Sequence, residues 1–310
     1  MSFRTVYKIL GAIEKTEGLG VKIRRSIGNL PLKKFNPFLL FDHFEASEGS
    51  GFEPHPHLGH ETITLVLNGA IAHEDFTGSK GVIYPGDLQF MTAGRGIVHT
   101  EMPVQTSDKS LTAGIQVWVD LPEGLKESKP RYRDLRSNEI PEAMEQNGKL
   151  HIKIISGNYA GIGSLKDLAY TPIHYYHITM KPGAIFKQKL PKDFNFFLYI
   201  IRGDNLVINN EYQVKEHDTC LFNRDGDEIS CKNASSGNQN ENEGASEFVL
   251  IGGKTLDQKV NRYGTFVATS QSRVRQGLED YSHASNGFEN LKTWKSSIGN
   301  DTSTNKAKES

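Results

Sequence analysis

Two short histidine motifs constrain this chain more than any other feature of its sequence. His55 and His57 are separated by one residue, and His99 and Glu101 repeat that spacing farther along the chain. In an extended strand, side chains two residues apart point to the same face. Two such strands that pair, or that face each other across a barrel, would bring three imidazoles and one carboxylate to a common point. The sequence therefore predicts a metal site built on strands.

The segments around these motifs have the pattern of short β-strands. Residues 62–67, 88–92 and 114–119 are rich in β-branched and aliphatic side chains, and they are separated by Gly and Pro turns. This succession favours a β-sandwich or barrel over helices placed between parallel strands. Near the end of the chain, residues 273–283 are a candidate for a short helix.

Composition limits the classes of protein to which the chain can belong. Its 310 residues are enough for two domains, and the net charge of -1 gives no whole-chain argument for binding nucleic acid or a membrane surface. Two cysteines, Cys220 and Cys231, argue against a disulfide framework and suit a reducing compartment. The chain has no apolar run of membrane-spanning length and no secretory pattern at its start. We therefore expect a soluble intracellular protein with no membrane partner and no direct nucleic-acid partner.

The second half of the chain repeats the strand and turn pattern of the first half. Residues 65–69 match 199–203 by residue type, and residues 85–88 match 216–219. Under this overlay the four motif positions fall on residues that cannot complete a metal site, namely Lys189, Pro191, Ser230 and Lys232. We predict two similar β domains, with a metal in the first domain and none in the second.

The expected domain boundaries follow from composition. We predict a first domain over residues 1–130, a second domain over residues 131–300 and a disordered tail over residues 301–310. Residues 122–148 are charged and contain prolines, so they are predicted to be a linker that wraps outside the first domain. Residues 234–247 are polar and of low complexity, which predicts a disordered loop between two strands.

Three imidazoles and one carboxylate suit Fe, Mn, Co, Ni, Cu or Zn. Four protein ligands on one side of an octahedron would leave two positions open for a bidentate oxygen ligand or O₂. A structural zinc site would have no open coordination position and would usually contain Cys. A further alternative is a domain whose closed metal site only stabilises the fold. Glu101 is either a ligand or an outer-shell base. The remaining histidines, such as His60, His73, His174 and His217, are expected at the surface or in hydrogen bonds.

Several motifs resemble those of the pirin family. They include His-Pro-His at 55–57, Ala-His-Glu-Asp-Phe at 72–76, Met-Thr-Ala-Gly-Arg-Gly at 91–96 and Lys-Thr-Trp-Lys-Ser at 292–296. The resemblance runs from about residue 18 to residue 300, and the segment 234–247 and the tail after Asn300 depart from the family pattern. It implies an all-β protein of two jelly-roll (cupin) barrels in one chain.

The resemblance also implies one iron ion, Fe(II) or Fe(III), held in the first domain by His55, His57, His99 and Glu101. It further implies an enzyme that opens flavonols such as quercetin with O₂, a quercetin 2,3-dioxygenase. In that reaction Glu101 would be the catalytic base that takes the 3-hydroxyl proton. Sequence proximity to the ligands makes three apolar residues candidate walls of the substrate pocket: Phe52, Phe90 and Met102.

The alternative implied by the resemblance is a redox-sensitive transcription coregulator of the nucleus and cytoplasm. Such a protein would bind transcription factors through protein–protein contacts, and the oxidation state of the iron would act as the switch. The basic residues expected on the responding face are Lys22, Arg24, Arg25 and Arg95. For Lys22, Arg24 and Arg25, the simpler interpretation is a positively charged strand face that is exposed to solvent and has no regulatory role.

Overall fold

The structure is a computed structural model that describes residues 2–104, 110–236 and 244–298. The predicted tail at 301–310 lies outside these residues, as does the central part of the predicted loop, 237–243. In chain order the strands are β1 (Val6–Gly11), β2 (Ile13–Glu17), β3 (Val21–Ile27), β4 (Phe38–Ala46), β5 (Phe52–His57), β6 (His60–Asn68), β7 (Ile71–Asp75), β8 (Lys80–Ile83), β9 (Leu88–Thr92), β10 (Ile97–Pro103), β11 (Thr112–Asp120), β12 (Arg131–Leu135), β13 (Glu142–Glu145), β14 (Leu150–Ser156), β15 (Asn158–Tyr159), β16 (Ile162–Gly163), β17 (Ile173–Met180), β18 (Ile185–Lys189), β19 (Phe194–Arg202), β20 (Leu206–Ile208), β21 (Tyr212–Val214), β22 (Asp218–Phe222), β23 (Glu228–Asn233), β24 (Ser246–Lys254), β25 (Asn261–Tyr263) and β26 (Phe266–Ala268).

One α-helix, α1 (Gln271–Ser282), follows the last strand within the described part of the chain. It begins where the Ser270 side chain accepts a hydrogen bond from the Arg273 backbone N–H, the usual N-cap arrangement. Short 3₁₀ turns occupy Glu123–Leu125, Ser137–Glu139 and Glu289–Lys292. The predicted all-β class with a short C-terminal helix is confirmed.

The chain divides into two compact units, each with a seven-stranded and a four-stranded sheet. In the first unit the sheets have the orders β12-β9-β6-β11-β4-β3-β2 and β5-β10-β7-β8. In the second unit they have the orders β1-β22-β19-β24-β17-β14-β13 and β18-β23-β20-β21. The two sheet plans match strand for strand, so the internal repeat seen in the sequence corresponds to two jelly-roll barrels.

The division into units is not linear along the chain. Residues 2–13 and 35–37 belong with 138–255, whereas residues 256–298 belong with the barrel built from 14–34 and 38–137. The chain passes from the first unit to the second between residues 137 and 138, whereas the predicted boundary lies between 130 and 131, and the exchange of the two ends was not predicted. Its physical reason is that β1 completes the edge of the second seven-stranded sheet by pairing with β22.

The predicted linker at 122–148 is largely structured, so that prediction is wrong. Strand β12 pairs with β9 along its whole length, from Arg131 opposite Thr92 to Leu135 opposite Leu88. The strand is charged because it lies at a sheet edge, where polar side chains face solvent on one side. It also carries Tyr132 toward the histidine motifs.

The C-terminal segment covers one side of the first unit. A buried cluster joins Phe266 and Val274 with Leu58 and Phe288. Helix α1 approaches Leu58 closely at Gly277, where an added Cβ would lie 2.9 Å from a Leu58 methyl carbon. The apolar core of this unit therefore depends on residues from both ends of its sequence range. Among the described residues, no helix has the length and apolarity needed to cross a membrane.

Candidate metal centre

Strands β5 and β10 pair in the four-stranded sheet and bring the two histidine motifs together. His99 lies directly opposite His55 in this antiparallel pair. His57 is two residues farther along β5 and therefore faces the same side as His55. The pairing is the arrangement that the spacing of the motifs predicted.

The three imidazoles converge on a common point. The ligand atoms of His55, His57 and His99 all lie within 4.8 Å of one another, and His99 Nε2 is 3.1 Å from His55 Nε2. The ring centroids are separated by 4.5 to 4.9 Å. Nitrogens gathered at this spacing can coordinate one cation.

The outer nitrogen of each ring has a partner that orients the ring. His55 Nδ1 is 2.8 Å from the Glu53 carbonyl oxygen, and His99 Nδ1 is 3.2 Å from the Tyr132 hydroxyl. His57 Nδ1 is 3.0 Å from His60 Nε2. With each Nδ1 engaged by a partner, Nε2 is the nitrogen of each ring that is left to bind a metal.

The surroundings keep these rings neutral, which is the form that binds a metal. Burial lowers the pKa of His55. Burial, followed by the repulsion that a neighbouring imidazole at His55 adds, holds the pKa of His57 and of His99 well below the ordinary value. The donor set therefore matches a first-row transition metal, both in its atoms and in its protonation.

Glu101 lies beside this trio. Its Oε2 is 3.9 Å from His99 Nε2. Its strand, β10, pairs with β5 on one side and with β7 on the other, where Glu101 lies opposite His73. Burial raises the pKa of Glu101 to about 7, although His73 and a hydrogen bond with Thr64 oppose the rise. Without a metal, this carboxyl group therefore holds its proton to a higher pH than an ordinary glutamate does.

Of the trio, His55 and His57 line a cavity of about 70 Å³ inside the first barrel, together with Glu101. Alternate residues of β3 and β4 face it, because the side chains of a strand alternate between the two sides of a sheet. Apolar members of its lining include Ile23, Leu40, Phe44 and Trp118. The cavity is thus a largely apolar chamber with a polar, metal-binding end.

Of the three predicted pocket walls, Phe52 lines the cavity, and Phe90 and Met102 do not. Met102 directly follows Glu101, so it points to the opposite face of β10, where it contacts Gly51. Phe90 belongs to the seven-stranded sheet and is buried in the apolar core. Proximity in sequence was the wrong criterion, because neighbouring residues of a strand face opposite sides.

The basic residues of β3 are paired with acids. Arg25 makes two hydrogen bonds to Asp42, of 2.7 and 2.6 Å, and both side chains are buried beside the cavity. Arg24 pairs with Glu45 at 2.8 Å. The partners of Lys22 and Arg24 also include Glu14, at 3.0 and 3.4 Å. The positive charge predicted for this face is therefore largely neutralised.

Comparison with known proteins identifies the family. The model of the Pirin family matches residues 20–119, and that of the Pirin C-terminal cupin domain matches residues 175–287. Human Pirin is 40% identical over 290 residues, covering 93% of this chain and 95% of the human protein. Pirin-like protein 2 of Arabidopsis thaliana is 39% identical over 295 residues, covering 94% of this chain and 88% of the plant protein.

This chain belongs to the pirin family.

Solved structures agree with that assignment at the level of the fold. A quercetin 2,3-dioxygenase from Acinetobacter baumannii superposes with a TM-score of 0.82 at 22% identity, covering 91% of this pirin-family chain and 98% of the bacterial one. The bacterial pirin YhhW from Escherichia coli, solved in complex with nickel(II), has a TM-score of 0.62 at 21% identity, covering 80% of this chain and all of that one, 100%. These neighbours support the cupin architecture.

The second barrel of this pirin-family chain lacks the trio. Its β18–β23 pair corresponds to β5–β10, and Lys187 lies opposite Ser230 there, as His55 lies opposite His99. With Ser230 at the position of His99, the counterparts of His55 and His57 become Lys187 and Lys189, two residues before those that the sequence overlay gave. Among the described residues, the one cluster of His, Cys, Asp or Glu with metal-binding geometry is the trio of the first barrel.

Two residues of the site were missed from the sequence. His60 and Tyr132 contact the outer nitrogens of His57 and His99, although His60 was expected to be an ordinary hydrogen-bonded histidine and Tyr132 to lie in a linker. Residues 131–135, Arg-Tyr-Arg-Asp-Leu, do not alternate strictly between polar and apolar side chains, so they carry little signal for a strand at that position. No local sequence pattern predicts the contact of His60 with His57, because this contact depends on the turn between β5 and β6.

Proposed function

We propose that this pirin-family protein is a metal-dependent dioxygenase that opens flavonols such as quercetin with O₂. The observation that carries the proposal is the convergence of three imidazoles, of which His55 and His57 line a largely apolar cavity together with Glu101. The apolar walls suit contact with an aromatic ring, and the polar edge of the substrate would face the histidines. The fold shared with a quercetin 2,3-dioxygenase supports the same reaction class.

His55, His57, His99 and Glu101 would hold one metal ion, and we propose iron, as Fe(II) or Fe(III). When bound, such an ion supplies Lewis acidity and one-electron chemistry to the substrate and O₂. The protein's own contribution is to present Nε2 of each ring, to keep the rings neutral, and to exclude water from the apolar part of the cavity. These tasks follow from the hydrogen bonds and the burial described above.

Glu101 would act as the general base. A carboxylate beside the metal-binding histidines is placed to take a proton from a substrate hydroxyl and to return it later. Thr64, whose hydroxyl donates to the Glu101 carboxylate and lies 3.2 Å from the side-chain oxygen of Gln116, connects the carboxylate with the polar part of the cavity lining. The flavonol 3-hydroxyl proton would pass to a Glu101 oxygen, and the overall reaction consumes O₂ and releases carbon monoxide.

The test is oxygen uptake with quercetin on protein whose metal content is measured on the same sample. We expect uptake that needs iron and that falls about a hundredfold or more in Glu101→Gln, the usual effect of removing a general base. Glu142→Gln is the matched control, since Glu142 is a surface residue of β13 in the second barrel. Iron-loaded protein that consumes no O₂ above the rate of quercetin alone would reject this function.

We propose redox-sensitive transcription coregulation in the nucleus and cytoplasm as a second candidate function. The observation that favours it is the position of Arg25, which lines the cavity and shares β3 with Lys22 and Arg24. A change of charge at the metal would act on the Arg25–Asp42 pair first, and through it on the surface ion pairs of this strand. Transcription factors that bind the ferrous and ferric forms equally well would contradict the switch.

A further inference from the structure

His60 is a fully buried histidine outside the predicted ligand set, with no exposed surface. It begins β6, directly after the two-residue connection, Leu58 and Gly59, that follows β5. Gly59 has a φ of 77°, a left-handed conformation that turns the chain back on itself. The turn places His60 Nε2 3.0 Å from His57 Nδ1.

The Leu58 carbonyl oxygen, at one end of the series Leu58–His60–His57, fixes the direction of the hydrogen bonds. His60 Nδ1 is 3.1 Å from the carbonyl oxygen of Leu58, which can only accept, so Nδ1 carries the proton. The ring is fully buried, an environment in which an imidazole carries a single proton. Nε2 of His60 is therefore an acceptor, and His57 Nδ1 donates to it. The remaining nitrogen of His57, Nε2, then has its lone pair free.

We propose that His60 is a positioning residue that fixes His57 in the tautomer whose Nε2 lone pair faces His55 and His99. This inference rests on the metal centre proposed above and deepens it. The ligand His55 takes its orientation from a backbone carbonyl and His99 takes it from a tyrosine hydroxyl. His57 differs, because its partner is a second imidazole that must itself be held in one tautomer.

The surroundings of His60 hold it in that state. The carbonyl oxygen of Leu58 also accepts the backbone N–H of Val267 at 2.9 Å, so the C-terminal segment fixes the acceptor. The His60 ring lies against Trp118, with a centroid distance of 4.7 Å and a tilt of 31°. The guanidinium carbon of Arg262 lies 4.9 Å from the centroid of the same indole. The His60 imidazole is therefore held on its face by Trp118 and at Nδ1 by the Leu58 carbonyl oxygen, and rotation of the ring would break both contacts.

The test compares His60→Phe with His60→Gln. Phenylalanine keeps the ring volume and removes the acceptor, whereas the glutamine amide oxygen can lie near the position of Nε2 and accept the same N–H. We expect the Kd for Fe(II) or Zn(II), measured by competition with a chelator, to rise about 10- to 100-fold in His60→Phe. In His60→Gln it should remain much closer to the wild-type value. The matched control is His174→Phe, a histidine in aromatic surroundings of the second barrel, which should leave the Kd unchanged.

A second readout does not depend on metal or on turnover. Nitrogen NMR of the metal-free protein reports which nitrogen of His57 carries the proton. The wild type and His60→Gln should show the Nδ1–H tautomer, and His60→Phe should lose its dominance. Wild-type affinity and a wild-type tautomer in His60→Phe would overturn the proposal. Equal weakening in His60→Phe and His60→Gln would overturn it too, because packing and not the acceptor would then be responsible. If the wild type bound no metal, the proposed function would fail, while the tautomer measurement would still decide this inference.

Discussion

Replacing Glu101 by Gln should change how the stability of the metal-free protein depends on pH. Burial raises the pKa of Glu101 from 4.5 to about 7, so the folded protein holds this proton over a range where the unfolded chain has released it. The contribution to stability is fully present below about pH 4.5 and is lost as the pH rises through about 7. Gln has the same shape and no charge at either end of this range.

The size of the effect follows from the difference between the two pKa values. At about 1.4 kcal/mol for each pKa unit, the rise from 4.5 to about 7 corresponds to roughly 3 kcal/mol. Chelator-treated wild type should therefore lose about 3 kcal/mol of unfolding free energy relative to Glu101→Gln between about pH 4.5 and about pH 8. The buried histidines act in the opposite direction, but they are common to both proteins and cancel in the comparison.

Urea denaturation at several pH values measures this difference directly. At a pH above this range, the metal-free wild type should be less stable than Glu101→Gln. Restoring a metal should reduce the difference, because the metal offsets the cost of the buried carboxylate. Parallel stability profiles for wild type and Glu101→Gln, in the absence of metal, would show that the Glu101 carboxyl group is not desolvated, and would refute the reasoning about its role as a base.

Three further substitutions test other parts of the structure. Tyr132→Phe removes the hydroxyl partner of His99 and should weaken metal binding about tenfold with little change in unfolding free energy, as a chelator competition and a urea titration will show; unchanged affinity would contradict the orienting role. Gly59→Ala should destabilise the protein strongly or prevent its folding, because the new Cβ would lie 1.9 Å from a backbone carbonyl oxygen at a φ of 77°, and thermal melting that matched the wild type would contradict this. Asp42→Ala removes the bidentate partner of the buried Arg25 but leaves its 2.8 Å contact with Glu17, so it should cost about 1.5–3 kcal/mol in urea unfolding, whereas a loss below about 1 kcal/mol would show that the pair is effectively solvated.

The fold and the convergence of the histidines were open to prediction because both depend on short periods in the sequence. The alternation of strand residues gives the faces, and the pairs His55/His57 and His99/Glu101 give two matching ligand spacings. The internal repeat gave the second barrel, although its register near Lys189 was two residues off. A β-sheet tolerates such an error in sequence comparison, because a shift of two residues keeps every side chain on the same face.

What could not be predicted depends on contacts between distant segments. The supporting role of His60 depends on a left-handed glycine and on Val267, which lies far away in the sequence. Tyr132 reaches His99 because a charged segment forms an edge strand, and composition alone made that segment resemble a linker. The exchange of chain ends between the units has the same origin, since edge pairing of β1 has no local signal.

The most direct test of the central claim is the metal content of the purified protein and of two variants. Wild type and Lys189→Ala should each contain one transition-metal ion per chain, and His99→Ala should contain almost none while retaining its cooperative unfolding. A full complement of metal in folded His99→Ala, or its loss in Lys189→Ala, would contradict a single site built from the imidazoles of the first barrel.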